Sequence, residues 1–300
     1  LKPFHIALAV LIAALWGFNF VVIRVGLVSF PPILMAALRF VIAALPVLVL
    51  PRPAIPWSRL VLTSATLFIG QYALLFYGMA QGMPAGLAST VLQIQAFLTM
   101  AFAAFLLREK PTGRQIVGAA IALAGLTLVG ASIHGGATGS AGAVSAVGFG
   151  LTLAAAVSWA IGNVMLRGAG KVDMLATICW LSLIPPLPLL ALSLALEGPA
   201  AWAGAWAGLD WTGIGAVLYI GLISTVVCFA IWGHLFKLYP ASTVAPFSLL
   251  VPIFGALSAS LLLGETFGPL RLAGMLLIVG GLAALSLRLP RSWRRSPVAS

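Results

Sequence analysis

Long apolar runs almost free of charge dominate this chain, and they leave it few ways to fold. They cover residues 4–27, 31–50, 59–80, 84–107, 113–133, 145–169, 173–196, 212–236, 242–263 and 268–288. A helix needs about 20 apolar residues to cross a hydrocarbon core of about 30 Å. Inside that core each backbone N–H and C=O must find its partner within the protein, which leaves helices or closed barrels, and runs of this length read as helices. Only 7% of the residues are charged, against roughly 25% in a soluble domain, so lipid must cover much of the surface. Pro31-Pro32, the stretch from Pro51 to Pro56, Pro84, Pro111, the Gly/Ser-rich 135–145 and Gly264 each stop or start a helix. The expected fold class is an all-α integral membrane protein with ten transmembrane helices. The chain opens on Leu1, which implies an omitted initiator Met. Residues 1–27 read as a first helix and not a signal peptide, because no small-residue cleavage site follows and another span comes at once.

The net charge of +11 is explained by topology and not by nucleic acid, because the basic residues form no stripe with interleaved aromatics. With the N-terminus on one side, thirteen Lys and Arg share that side: Lys2, Arg52, Arg59, Arg108, Lys110, Arg114, Arg167, Lys171, Lys237, Arg288, Arg291, Arg294 and Arg295. Only Arg24 and Arg271 fall opposite, and Arg39 lies within a span. The positive-inside rule then makes both termini cytoplasmic, in a plasma (inner) membrane. Trp202, Trp206 and Trp211 in the opposite loop suit an interfacial helix or a plain headgroup anchor. Cys179 and Cys228 lie in apolar runs and read as buried packing residues, not a disulfide.

Self-comparison adds a second constraint. A shift of 156 aligns Pro84-Ala85 with Pro240-Ala241, Glu109 with Glu265, Gly118 with Gly274 and Gly125 with Gly281; a shift of 143 aligns Trp16 with Trp159 and Arg24 with Arg167. A longer 197–211 loop absorbs the difference. Each half holds five spans, and an odd number forces the second copy in from the opposite side. The expected organisation is a five-helix repeat over 1–133, a linker over 134–144, an inverted five-helix repeat over 145–288 and a basic cytoplasmic tail over 289–300. Such 5+5 inverted repeats suit a transporter with its substrate near the midplane.

The WGFNFVVIR stretch of the first span, LRF in the second, and the strings LLREKPTG and LLGETFGP resemble the EamA branch of the drug/metabolite transporter superfamily. The resemblance covers essentially the whole chain and is greatest to the YddG-type exporters of aromatic amino acids. It implies export of amino acids or other small metabolites. The inverted repeats suggest alternating access by rocking about the shared cavity.

Residue types inside the spans nominate that site. Trp16 and Asn19 are three apart and Trp159 and Asn163 four apart, so each ring and amide share a helix face in corresponding spans. A ring stacks on an apolar side chain, and an amide bonds a carboxylate or an ammonium; packing against lipid and bridging between helices are the competing roles. Gln71, Tyr72, Tyr77 and Gln93 add polar atoms at intermediate depth. Gln93 and Gln95 cannot face the same way on a regular helix, so Gln93 is assigned to the cavity and Gln95 to interhelical bonding. Arg39 is the one charge near the centre of a span. With no intramembrane acid to pair it, it binds either a substrate carboxylate or backbone carbonyls. His234 reads as a bundle residue, and Gly118/Gly125 and Gly274/Gly281 as close-packing surfaces. Pro246 and Pro252, and Pro185, Pro186 and Pro188, kink the ninth and seventh spans.

Other classes fit poorly. The five acids and three histidines all sit at span ends or in loops and form no ligand set or acid/base pair. No catalytic site, metal site or cofactor is expected, and no phosphate loop marks an ATPase. A channel would show a charged ring or carbonyl filter, and lipid scrambling stays open. The partners expected are a small amphiphilic substrate, most simply a neutral or aromatic amino acid, and the bilayer, with a monomer sufficient. Without an intramembrane carboxylate, uncoupled flow down the substrate gradient is the simplest mode.

Overall fold

A computed structural model describes residues 1–134, 144–167 and 172–286; the expected linker, most of which is 135–143, and the basic tail lie outside the described residues. Ten apolar helices follow in order: α1 (Pro3–Gly26), α2 (Pro32–Leu48), α3 (Trp57–Ala80), α4 (Ala85–Leu106), α5 (Gly113–Ile133), α6 (Ala146–Arg167), α7 (Met174–Leu196), α8 (Trp211–Leu238), α9 (Ser242–Leu263) and α10 (Pro269–Ser286). Their limits fall within about two residues of the apolar runs because proline and glycine cut both. α2 is shorter than the other nine, since Pro46 turns its end into a 3₁₀ segment over Leu45–Leu48. The Trp-rich loop forms a short helix, Gly198–Ala207. Trp202 Nε1 donates to Ser193 Oγ at 2.8 Å, while Trp211 is exposed.

The packing has a twofold relation. α1 lies against α8 and α9 as α6 lies against α3 and α4, while α2·α7, α4·α9 and α5·α10 pair across the axis. The glycines show the direction. A Cβ on Gly118 would stand 2.8 Å from the carbonyl of Gly281, and one on Gly274 would stand 2.7 Å from the carbonyl of Gly125. Position advances along α5 as it retreats along α10, so the two helices are antiparallel and the halves inverted. Only glycine permits backbones this close.

Corresponding helices also break in corresponding places. α3 carries a π-helical segment at Ala65–Gly70 and α8 one at Tyr219–Val227; α4 has a 3₁₀ turn at Leu92–Ile94 and α9 one at Ala245–Leu249. Carbonyls in the π segments are taken up by the neighbouring repeat. Ser158 Oγ of α6 donates to Thr66 O at 2.7 Å, and Trp16 Nε1 of α1 donates to Ser224 O at 2.9 Å. Irregular backbone at membrane depth persists where protein satisfies it or where it borders a polar cavity. Here it does both.

Candidate functional site

These broken helices surround a central cavity of about 320 Å³, on the scale of small-ligand pockets. Trp16, Asn19, Arg39, Gln71, Tyr72, Gln93, Trp159 and Asn163 all line it, drawn from both halves. Tyr77 does not. It is 38% exposed, on the outside of α3, because five helical residues beyond Tyr72 is about 500° of rotation, well off the inward face. Gln95 does line the cavity beside Gln93, and its Nε2 lies 3.4 Å from Gln93 Oε1. The assignment of Gln95 to interhelical bonding assumed a regular helix. The 3₁₀ turn at Leu92–Ile94 winds more tightly and brings both amides to the cavity.

Arg39 is 2% exposed. Its Nε and Nη2 donate to Thr225 Oγ1 at 3.2 and 2.9 Å, and Nη2 also donates to Tyr72 Oη at 3.0 Å. The guanidinium carbon sits 4.0 Å from the Tyr72 ring centre, a cation–π distance. No carboxylate approaches it among the described residues, and neither do the backbone carbonyls of the alternative reading. Thr225 is itself held by donation to Ile220 O at 2.8 Å within the π segment of α8. The guanidinium therefore has one edge fixed, while Nη1 has no hydrogen-bond partner.

Three further buried atoms of the lining also lack partners: Asn19 Oδ1, Gln71 Oε1 and Gln95 Oε1. Each such atom left dry costs about 1–3 kcal/mol. One cationic donor and three amide oxygens of residues in the lining thus lie buried without a partner, next to a space that could hold a polar occupant. Around them stand rings. Trp159 meets Tyr72 edge-on with centroids 6.3 Å apart, and Trp16 packs 5.2 Å from Phe229.

Several lining residues escaped the sequence reading. Phe20, Ser89, Ser224, Phe229 and Ser248 carry no charge or amide to single them out. Ser248 is the counterpart of Leu92 by the shift of 156, and both line the cavity. His234 lies elsewhere, beside Asp173 and Lys237 at the basic end. The loop acids act as caps. Glu197 accepts from Ile33 N and Leu34 N at 2.7 and 3.1 Å, and from Ser193 Oγ. Glu265 accepts from Ala85 N and Gly86 N at 2.7 and 2.9 Å. Burial pushes the Glu265 carboxyl up from the usual range, against the pull of those two N–H groups and of Arg24.

Ten apolar helices among the described residues, nine of them long enough to cross a membrane, in two inverted halves with a cavity between them define a multi-pass membrane transporter for a small molecule. The sequence pattern of the EamA-like transporter family matches the chain twice, over residues 3–131 and 146–287. A protein of Salmonella typhimurium named as a probable amino-acid metabolite efflux pump is 43% identical over 92% of both chains, and one of Escherichia coli with the same name is 41% identical over the same shares. A probable terminal-alkyne amino-acid exporter of Streptantibioticus cattleyicolor is 29% identical, covering 93% of this chain and 92% of its own. A crystal structure of a protein 21% identical has the same fold, with a TM-score of 0.56 over 91% of this chain and 96% of that one. The chain belongs to the EamA-like transporter family, and it is a transporter and not an enzyme.

Proposed function

We propose that this protein exports neutral amino acids, aromatic ones among them, across the plasma (inner) membrane. The observation that carries this reading is that four residues of the cavity lining each hold a buried polar atom without a partner, one rotamer change from the cavity. Arg39 Nη1 offers a charged donor to a carboxylate, while Asn19 Oδ1, Gln71 Oε1 and Gln95 Oε1 offer acceptors to an ammonium. Trp16, Trp159 and Tyr72 supply faces for the side chain. Gln93 and Asn163 complete the polar rim; Gln93 Nε2 reaches Ser248 O at 3.4 Å and Asn163 Nδ2 reaches Thr99 Oγ1 at 3.5 Å. A phosphate ester would want several basic groups, and among the described residues this lining has one, Arg39. The relatives named as a probable amino-acid metabolite efflux pump and a probable terminal-alkyne amino-acid exporter support this reading.

The proposed carrier is a monomer with both termini in the cytoplasm, built of repeats 1–133 and 145–288 that rock about the cavity by alternating access. Transport is uncoupled, and internal accumulation sets its direction. The five acids support this: Glu197 and Glu265 cap helices, Asp173 and Asp210 cap their own, and Glu109 is half exposed at a helix end. None is in the cavity wall.

The test is competition in proteoliposomes holding the full chain. Unlabelled phenylalanine should displace labelled neutral amino acid, while its carboxamide and its N-acetyl form should both compete at least about tenfold less well, each having lost a charge-assisted hydrogen bond. Equal competition by the two derivatives would remove the zwitterion from the account. A substrate gradient alone should drive flux. Accumulation against that gradient under an imposed pH or sodium gradient would contradict uncoupled transport.

A further inference from the structure

The two repeats carry the same backbone device at the end of their fourth helix, and the device is engaged in only one of them. Arg108 and Gly264, related by the shift of 156, both take a left-handed conformation, with φ of 55° and 66°. The next residues, Glu109 and Glu265, each send a backbone N–H six residues back, to Ala103 O at 3.4 Å and to Ala259 O at 3.3 Å. The frame that presents each carboxylate is therefore the same. Their partners are not. Glu265 is 8% exposed and holds the first N–H groups of α4, with Arg24 close enough to act on its charge. Glu109 is half exposed and bonds Arg167, the counterpart of Arg24, at 2.8 Å.

The helix starts these acids would hold differ in the same sense. At the start of α4, Ala85, Gly86 and Leu87 are buried; at the start of α9, Ser242 and Thr243 are exposed. The cavity shares this asymmetry. It reaches Ser286, the last described residue of α10, at the basic end, while at the opposite end Glu265 and the start of α4 are buried against each other. A carboxylate on the free N–H groups of a helix start is a strong, charge-assisted clasp.

We infer that Glu265 and Glu109 are reciprocal latches: each closes its own end of the transport pathway by capping the facing helix, α4 for Glu265 and α9 for Glu109, and only one is engaged at a time. In the state seen here the Glu265 latch is shut and the basic end open. In the alternate state Glu109 leaves Arg167 for the N–H groups around Ser242, and Glu265 turns to Arg24. The repeat symmetry requires this exchange if one state is to mirror the other. The inference rests on alternating access and not on the identity of the substrate.

Both acids are positioning residues, so the test reads conformation and needs no substrate. Leu87→Cys and Thr243→Cys are symmetry-related probes, buried and exposed respectively in this state. Cys179 and Cys228 are buried and set the background. In the folded, reconstituted chain, Thr243→Cys should react with a thiol reagent faster than Leu87→Cys. Adding Glu265→Gln should raise labelling at 87 and lower it at 243, changing the ratio by about tenfold, as expected for the loss of one charge-assisted hydrogen bond. Glu109→Gln should move the ratio the other way. A cross-link between Glu109→Cys and Ser242→Cys should form more readily when Glu265→Gln is present. Increased labelling at both probes in Glu265→Gln would mark a mere structural cap and overturn the latch, as would an unchanged ratio.

Discussion

Replacing Arg39 with methionine separates the two jobs a buried arginine can do. It removes three hydrogen bonds, two to Thr225 and one to Tyr72, together with the contact 4.0 Å from the Tyr72 ring. Bonds to a charged group contribute about 1.5–3 kcal/mol each, which alone would suggest severe destabilisation. Against this, a buried ion costs several kcal/mol to desolvate. No described carboxylate accompanies Arg39, so its removal strands no opposite charge. Thr225 Oγ1 keeps its bond to Ile220 O. The two sums nearly cancel, and the thermal midpoint should stay within a few degrees of wild type. Transport should not survive. Losing the partner of a bound carboxylate costs about 2–4 kcal/mol, taken at the lower part of the range for desolvated charge pairs, or roughly 30- to 700-fold in affinity. The assays are thermal unfolding of the purified protein and initial rates of labelled amino-acid flux in proteoliposomes. An Arg39→Met variant that transports at the wild-type rate, or one that fails to fold while Arg39→Lys folds, would refute this reasoning and return Arg39 to a structural role.

Gly125→Ala places a Cβ 2.5 Å from the carbonyl of Gly274 and should cost about 1–3 kcal/mol by overpacking, read as a lowered unfolding midpoint; Gly280→Ala, with nothing within 4 Å of its new Cβ, should cost nothing measurable. Tyr77→Phe, outside the cavity, should leave flux unchanged, whereas Gln71→Leu should reduce it at least about tenfold through loss of an acceptor. A cysteine at Gly204, where a Cβ meets no neighbour within 4 Å, should react with an impermeant reagent from outside intact cells, and one at Ser296 should not; the reverse pattern would invert the topology.

Helix number, helix limits and the inverted repeat were legible because each has a strong one-dimensional signature. Apolar runs of membrane length, proline and glycine punctuation, and matched Gly118/Gly274 and Gly125/Gly281 pairs needed no knowledge of packing. Eight of the nine nominated site residues stand on the cavity wall for a related reason: an amide, a charge or an indole inside a lipid-length run has few tolerable places. Depth and facing are separate questions: Tyr77 has the depth of a site residue, but regular helix rotation turns it away from the cavity. Gln95 faces the cavity because helix periodicity breaks at Leu92–Ile94, a 3₁₀ turn that the sequence does not announce. Glu265 and Glu197 looked like loop residues because their partners, the helix starts at Ala85 and Ile33, are remote in sequence. Arg39 was recognised as exceptional, but its Thr225 and Tyr72 partners come from helices that only the fold brings beside it.

The central claim is that one cavity, shared by the two repeats, carries an amino acid across the membrane by facing each side in turn. Counterflow measures this most directly. Proteoliposomes loaded with a high concentration of unlabelled phenylalanine and diluted into a trace of the labelled compound should accumulate label transiently above equilibrium, with no ion gradient imposed. The overshoot should vanish with Arg39→Met and persist with Tyr77→Phe. Label that enters only to equilibrium, at a rate that does not saturate and is indifferent to internal phenylalanine, would contradict the account.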